Sequence, residues 1–117
     1  KACNQMIMVA AIEAVAEAPR LAAAAGADCA KVKQALAGGS AASRVLDVMG
    51  ERMVKRDFAA GIEARLHHKD FGLVLEAARK SGVPLPLTAT VAQQLNALMA
   101  KGWGKDDTAS LLRVLEH

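Results

Sequence analysis

Aromatic residues are nearly missing from this chain. Tyrosine does not occur, and Phe58, Phe71 and Trp103 are the only aromatic side chains among 117 residues. Evenly alternating β-branched runs are missing too. Half-buried sheets draw on both classes, so their scarcity argues against a β fold. Cysteine occurs twice, at Cys3 and Cys29, too few for a disulfide framework or a cysteine zinc site. Both read as small buried hydrophobes in a reducing compartment. No apolar run reaches the ~18 residues of a membrane span, because Glu13 and Glu17 interrupt the best candidate. No signal segment is visible. Like charges form no block: 15 basic and 12 acidic residues are dispersed, and no aromatics interleave the basic ones. That argues against nucleic acid as a partner. The expectation is a cytoplasmic protein with no membrane, nucleic-acid or metal partner.

What remains is small and apolar. Ala, Leu, Val and Met supply most of the 53% hydrophobic content, the makings of close-packed helices in one domain. The fold class read from this is all-α, a helical bundle around a long N-terminal helix. That helix takes in residues 1–25, which hold no glycine and are interrupted only by Pro19. Residues 6–12 are apolar on every side at a 3.6-residue period, so this stretch is expected to be buried all round. Lys1, Asn4 and Gln5 stand ahead of it at i, i+3 and i+4 and share one helical face. They read either as a solvated helix start or as an amine and two amides facing one pocket.

The rest of the chain is punctuated plainly. Asp28 caps a short helix through Leu36, closed by Gly38 and Gly39. Ser40 or Ser43 opens the next, with Val45, Leu46, Met49 and Met53 at amphipathic spacing as far as Arg56. Residues 57–61 form a turn. A long helix then runs from about Glu63 to Lys80, stopped by Gly82 and the corner of Pro84, Leu85 and Pro86. Thr88 or a neighbour starts a helix carrying Val91, Leu95, Leu98 and Met99, which ends at residues 101–104. Asp106 or Asp107 caps a last helix from Thr108 to Leu115. His67, His68, Lys69 and Asp70 are the densest polar cluster, either a solvated turn or the edge of the core. Adjacent histidines on a helix point about 100° apart, which does not suit a metal. Gly102 and Gly104 lack the third glycine and preceding strand of a dinucleotide fingerprint. The chain opens on Lys in mid-pattern, which suggests a piece of a longer protein. Whether Leu115, Glu116 and His117 are native or belong to a tag stays open.

Several of these stretches occur together in one known family. They are Lys1 with Asn4 and Gln5, the run from Glu13 to Ala18, Ala25 to Asp28, Gln34 to Leu36, and Gly38 to Arg44. To these add Gly50 to Met53, Phe58 with Gly61, Leu66 and His67 with Lys69 and Asp70, and Leu85 to Ala89. In this order and spacing the chain resembles the C-terminal helical domain of the β-hydroxyacid dehydrogenases, the 3-hydroxyisobutyrate dehydrogenase-like family. Gln5 and the Gly50 to Met53 run lean towards its tartronate semialdehyde reductase branch.

The resemblance implies the second half of a two-domain oxidoreductase, whose NAD or NADP is bound mainly by a Rossmann domain not contained in these residues. Alone, these 117 residues are then expected to be inactive. It puts the catalytic role on Lys1, substrate binding on Asn4 and Gln5, and cofactor binding on Lys69 and Asp70. The substrate would be a small 3-hydroxy acid or its semialdehyde, and the assembly a homodimer or tetramer. A lysine suits the chemistry. The alkoxide that develops when a carbonyl takes up hydride needs a proton and a nearby positive charge. Two departures stand out. The family's Pro-Gly-Phe reads Ala60, Gly61, Ile62 here, which removes an aromatic from the pocket side, and Pro19 falls where a helix former is usual, so a local kink is expected. The alternatives are a 3-hydroxyisobutyrate dehydrogenase, or a helical dimerisation module without chemistry.

Overall fold

The computed structural model describes residues 1–116; His117, and with it the end of the tag question, lies outside them. Six helices follow in order: α1 (Ala2–Ala24), α2 (Cys29–Leu36), α3 (Arg44–Lys55), α4 (Ala64–Ser81), α5 (Pro86–Ala100) and α6 (Leu111–Leu115), the last entered through a 3₁₀ turn, Thr108–Ser110. The fold is all-α, and α1 packs against every other helix. Local chemistry sets the boundaries. Asp28 accepts from the backbone of Ala30 and Lys31, and Ser43 from that of Leu46, as side-chain caps do. Gly82 ends α4 at φ +69°, a left-handed conformation open to glycine at no steric cost.

The core is aliphatic. Val9, Ile12, Leu95, Leu98 and Leu111 are fully buried, with Phe71 as their one aromatic companion. The other two aromatics, half-buried, pack against the edge of this core and also flank a cation. Arg113 lies between them, its guanidinium carbon 4.4 Å from the Phe58 ring centre and 4.2 Å from that of Trp103. It also donates to Asp106 and Ser110 at 2.7 and 2.6 Å. Cation–π contact and charge-assisted hydrogen bonds together fasten α6 to the two flanking loops.

Four expectations are corrected. The helix α1 is not buried all round: Val9 and Ile12 are fully enclosed, but Ile7 and Leu21 are 74% and 76% exposed. The other five helices cover one side of α1 and leave the opposite side open. Cys3 is exposed and Cys29 only half-buried. Cys3 stands one turn before Ile7 on the uncovered face, and the Cys29 thiol donates to the Pro19 carbonyl at 3.5 Å. The fifth helix begins at Pro86 rather than near Thr88, with proline in its first turn, where the missing N–H is no loss. The last helix starts as a tighter 3₁₀ turn, capped by Asp107. Through Pro19, α1 continues as a single element.

Two buried carboxylates behave differently. Asp107, 1% exposed, accepts from the backbone N–H groups of Gly61, Ile62 and Ala109 at 3.0, 3.1 and 2.9 Å, with Arg52 at 3.8 Å. Glu13, 5% exposed, has one oxygen accepting from Gln94 Nε2 at 3.1 Å and the other buried without a partner. Burial pushes its pKa from 4.5 up to about 7, against the opposing effect of the Gln94 hydrogen bond and with help from the Glu17 charge.

Asp107→Ala strands the buried N–H of Ala109 and releases those of Gly61 and Ile62, which lie on an exposed loop. At ~1–3 kcal/mol for a buried group left unpaired and less for groups that water can reach, it should destabilise the chain by about 2 kcal/mol or more. A urea midpoint within error of wild type would refute this. Glu13 gives a pH signature. The unfolded chain releases this proton near 4.5, the ordinary value of a glutamate, and the folded chain near 7, so stability falls as pH rises between the two and then levels off. At ~1.4 kcal/mol per pKa unit the drop is on the order of 3 kcal/mol. Glu13→Gln, neutral at every pH, should remove this component of the slope; denaturation curves at pH 5 and pH 8 check it.

Candidate active site

Three of the candidate residues meet where the start of α1 faces the middle of α4. Four polar backbone links bring α4 to that place. Its N-terminus has no side-chain cap; the backbone N–H groups of Ala64 and Arg65 donate to the carbonyls of Asp106 and Gly104, both at 2.8 Å. Asp107 N–H donates to Phe58 O at 2.9 Å and Thr108 N–H to Ile62 O at 3.3 Å. The segment before α6 therefore holds both the loop leading into α4 and its first turn.

On this frame Lys1, Ala2 and Gln5 from α1 and its cap face Asp70, Leu73, Val74 and Ala77 from α4 across a cavity of about 230 Å³. Of the five residues singled out in the sequence, Lys1, Gln5 and Asp70 line it. Asn4 is exposed and joins through Gln5, its Nδ2 donating to Gln5 Oε1 at 3.0 Å. Lys69 is exposed and outside the lining, one residue and about 100° round α4 from Asp70. The cavity lies below the ~300–1,000 Å³ of pockets for drug-sized ligands. It suits a small acid or one ring of a larger cofactor, with an amine, an amide and a carboxylate beside an apolar wall. A larger groove of about 570 Å³ runs between α1, α2 and α3. It contains none of the five residues, so size alone does not mark the site.

The sequence placed His67 in the densest polar cluster but gave it no role of its own. It is completely buried, with Nδ1 2.6 Å from the hydroxyl of the equally buried Thr108 and Nε2 enclosed without a partner. Burial lowers its pKa first of all; Asp70 and Asp107 pull it upward, and Lys1 adds to the lowering. Burial thus favours the neutral imidazole. Its position was readable: residues 64, 67, 71 and 78 form the inward stripe of α4, and His67 falls on that stripe. Its neighbour His68 turns instead to α5, with Nε2 2.7 Å from Asn96 Oδ1. Among the described residues no three potential ligands converge for a metal ion, and no helix is long and apolar enough to cross a membrane.

A family profile described as "NAD-binding of NADP-dependent 3-hydroxyisobutyrate dehydrogenase" matches residues 1–115. The chain belongs to this family. It is 46% identical to the 2-hydroxy-3-oxopropionate reductase of Escherichia coli (strain K12) over 99% of its own length and 40% of that protein's. It is 31% identical to the 2-(hydroxymethyl)glutarate dehydrogenase of Eubacterium barkeri, covering 100% of this chain and 39% of the relative. The solved 3-hydroxyisobutyrate dehydrogenase of Salmonella typhimurium superposes with a TM-score of 0.93 at 26% identity, over 97% of this chain and 40% of that one. The chain thus spans about two fifths of the length of these relatives. The family's nicotinamide cofactor finds a partial fit here. Leu73, Val74 and Ala77 form an apolar wall against which a ring could pack.

The loop before α4 is closely packed at Gly61. A Cβ at Gly61 would stand 2.8 Å from the Arg52 guanidinium and 3.4 Å from Asp107. Gly61→Ala should therefore push the Arg52 guanidinium away from Ala59 O, now 2.6 Å; the displaced atom is the tip of a flexible, part-exposed side chain, so the loss should stay near the ~0.5–1.5 kcal/mol of one hydrogen bond. Thermal melting of the variant against wild type measures it, and a loss of several kcal/mol would contradict this reading.

Proposed function

We propose that this chain is the helical domain of an NAD(P)-dependent dehydrogenase that interconverts a small 3-hydroxy acid and its semialdehyde, reducing tartronate semialdehyde to glycerate. The observation that carries the reading is the convergence of Lys1, Gln5 and Asp70 on one small cavity. The 46% identity to a 2-hydroxy-3-oxopropionate reductase favours that substrate. The family description and the Salmonella typhimurium structure favour 3-hydroxyisobutyrate as the second candidate.

In this reading the cofactor belongs to a Rossmann domain elsewhere in the full-length protein, and when bound it supplies the hydride or takes it up. Lys1 donates a proton to the oxygen as the carbonyl carbon gains hydride, and its positive charge stabilises the alkoxide on the way. In the oxidative direction the neutral amine takes the hydroxyl proton as the C–H bond gives up hydride. Gln5 and Asn4, linked by their own hydrogen bond, hold the substrate oxygens in line, since orientation supplies much of the barrier reduction. Asp70, the one acidic residue of the cavity, lies across it from Lys1 and accepts from a donor of the cofactor. Lys69 meets the cofactor outside the cavity.

The two lysines have different jobs, and kinetics separate them. In the full-length enzyme Lys1→Ala should lower kcat by at least the ~10²-fold of general acid–base catalysis and leave cofactor affinity nearly unchanged. Lys69→Ala should weaken cofactor binding with a smaller loss in kcat. The reverse pattern would overturn the assignment. The open face of α1 supports at least a homodimer, since Ile7 and Leu21 gain by burial against a second surface. Light scattering of the full-length protein tests this, and a monomer at micromolar concentration would contradict it.

A further inference from the structure

His67 occupies a place that an aliphatic side chain would fill more cheaply. Its ring is enclosed, yet only one of its two nitrogens is engaged, and a buried polar atom without a partner is unfavourable. What the imidazole alone supplies is a directional link from α4 to Thr108. That link comes one turn after the backbone bonds of Ala64 and Arg65 to the segment 104–106. The backbone bonds fix where α4 begins; the side-chain bond fixes how it is turned. Asp70 follows three residues later, on the neighbouring strip of the same helix, and lines the cavity opposite Lys1. The charged groups acting on the imidazole are Asp70 on its own helix, Asp107 beside the 3₁₀ turn and Lys1 at the head of α1. His67 therefore lies behind the cavity, within electrostatic reach of both its amine and its carboxylate.

We propose that His67 is a positioning residue: its hydrogen bond to Thr108 holds α4 in the rotation that keeps Asp70 on the cavity wall facing Lys1. The proposal rests on the reading of that cavity as the active site. His67 touches no reacting atom. It acts through Asp70, and a small rotation of α4 would carry the carboxylate along the wall. Displacements of ~1 Å at a reacting centre cost up to ~10²-fold in rate, so a lost anchor is visible in turnover even where the fold survives.

The test uses the full-length enzyme and breaks the link from both ends. Thr108→Val removes the hydroxyl at nearly constant volume, and His67→Phe removes the nitrogen. Each should lower kcat/KM at least ~10-fold, and the double variant should be no worse than the poorer single one. Thr108→Ser, which keeps the hydroxyl, should restore most of the activity. In an Asp70→Asn background Thr108→Val should add little, because the group it positions is already disabled. Where His67→Phe fails to fold, the three Thr108 and Asp70 variants carry the test alone. The proposal is overturned by wild-type kcat/KM in Thr108→Val. It is overturned equally by a Thr108→Val loss that is undiminished in the Asp70→Asn background. If Lys1→Ala and Asp70→Asn themselves leave turnover intact, the cavity is not the active site and both readings fall. An effect of those two without one from Thr108 defeats this proposal only.

Discussion

The carboxylate of Asp107 is the point on which the placement of the site depends. Three backbone N–H groups from two distant stretches of chain converge on it, and its own N–H returns a bond to Phe58 O. One side chain thereby does what a short sheet does in other folds. Glu63 and Asp107 pair as an isolated antiparallel bridge, and the loop before α4 is sewn to the turn before α6. Helix α4 inherits its starting point from this knot, and the cavity inherits the position of α4. A buried carboxylate is tolerable here because donors meet both of its oxygens.

The contrast with Glu13 is instructive. Both acids are enclosed, but Glu13 has a single neutral amide as donor and a like charge one turn away. Burial alone does not determine how a carboxylate behaves; the supply of donors does. Asp107 is a fixed structural acceptor. Glu13 is a group whose protonation is coupled to the packing of α1 on α5.

Much of this architecture could be read from the sequence, for reasons that differ between elements. Asp28, Ser43 and Asp107 act within a few residues of themselves, so their capping roles follow from local order. The glycine at the end of α4 is equally local. Pro86 misled because proline ends one helix and begins another with equal ease, and only the length of the connection decides which. The inward positions of Glu13 and His67 follow from helical period, but their partners, Gln94 and Thr108, lie 81 and 41 residues away. Nothing short of the fold identifies such a pairing. The open side of α1 escaped for another reason: an apolar surface declares that it seeks cover, not whether this chain supplies it. Of the candidate site, Lys1, Gln5 and Asp70 came together from the start of one helix and the middle of another. The i, i+3, i+4 spacing had grouped the first three polar residues but carried no information about Asp70.

The stacked corner around Arg113 has a practical side. Trp103 is the only tryptophan in the chain, and its indole lies against the Arg113 guanidinium at the far end of the chain from Lys1. Intrinsic fluorescence therefore reports on the docking of the C-terminal helix, while far-ultraviolet circular dichroism is dominated by α1, α4 and α5. Superimposable unfolding curves from the two signals mean that the corner and the bundle melt as one cooperative unit. Curves that separate resolve the corner as an independently opening unit. The scarcity of aromatic residues thus leaves the protein with a single, site-specific optical reporter.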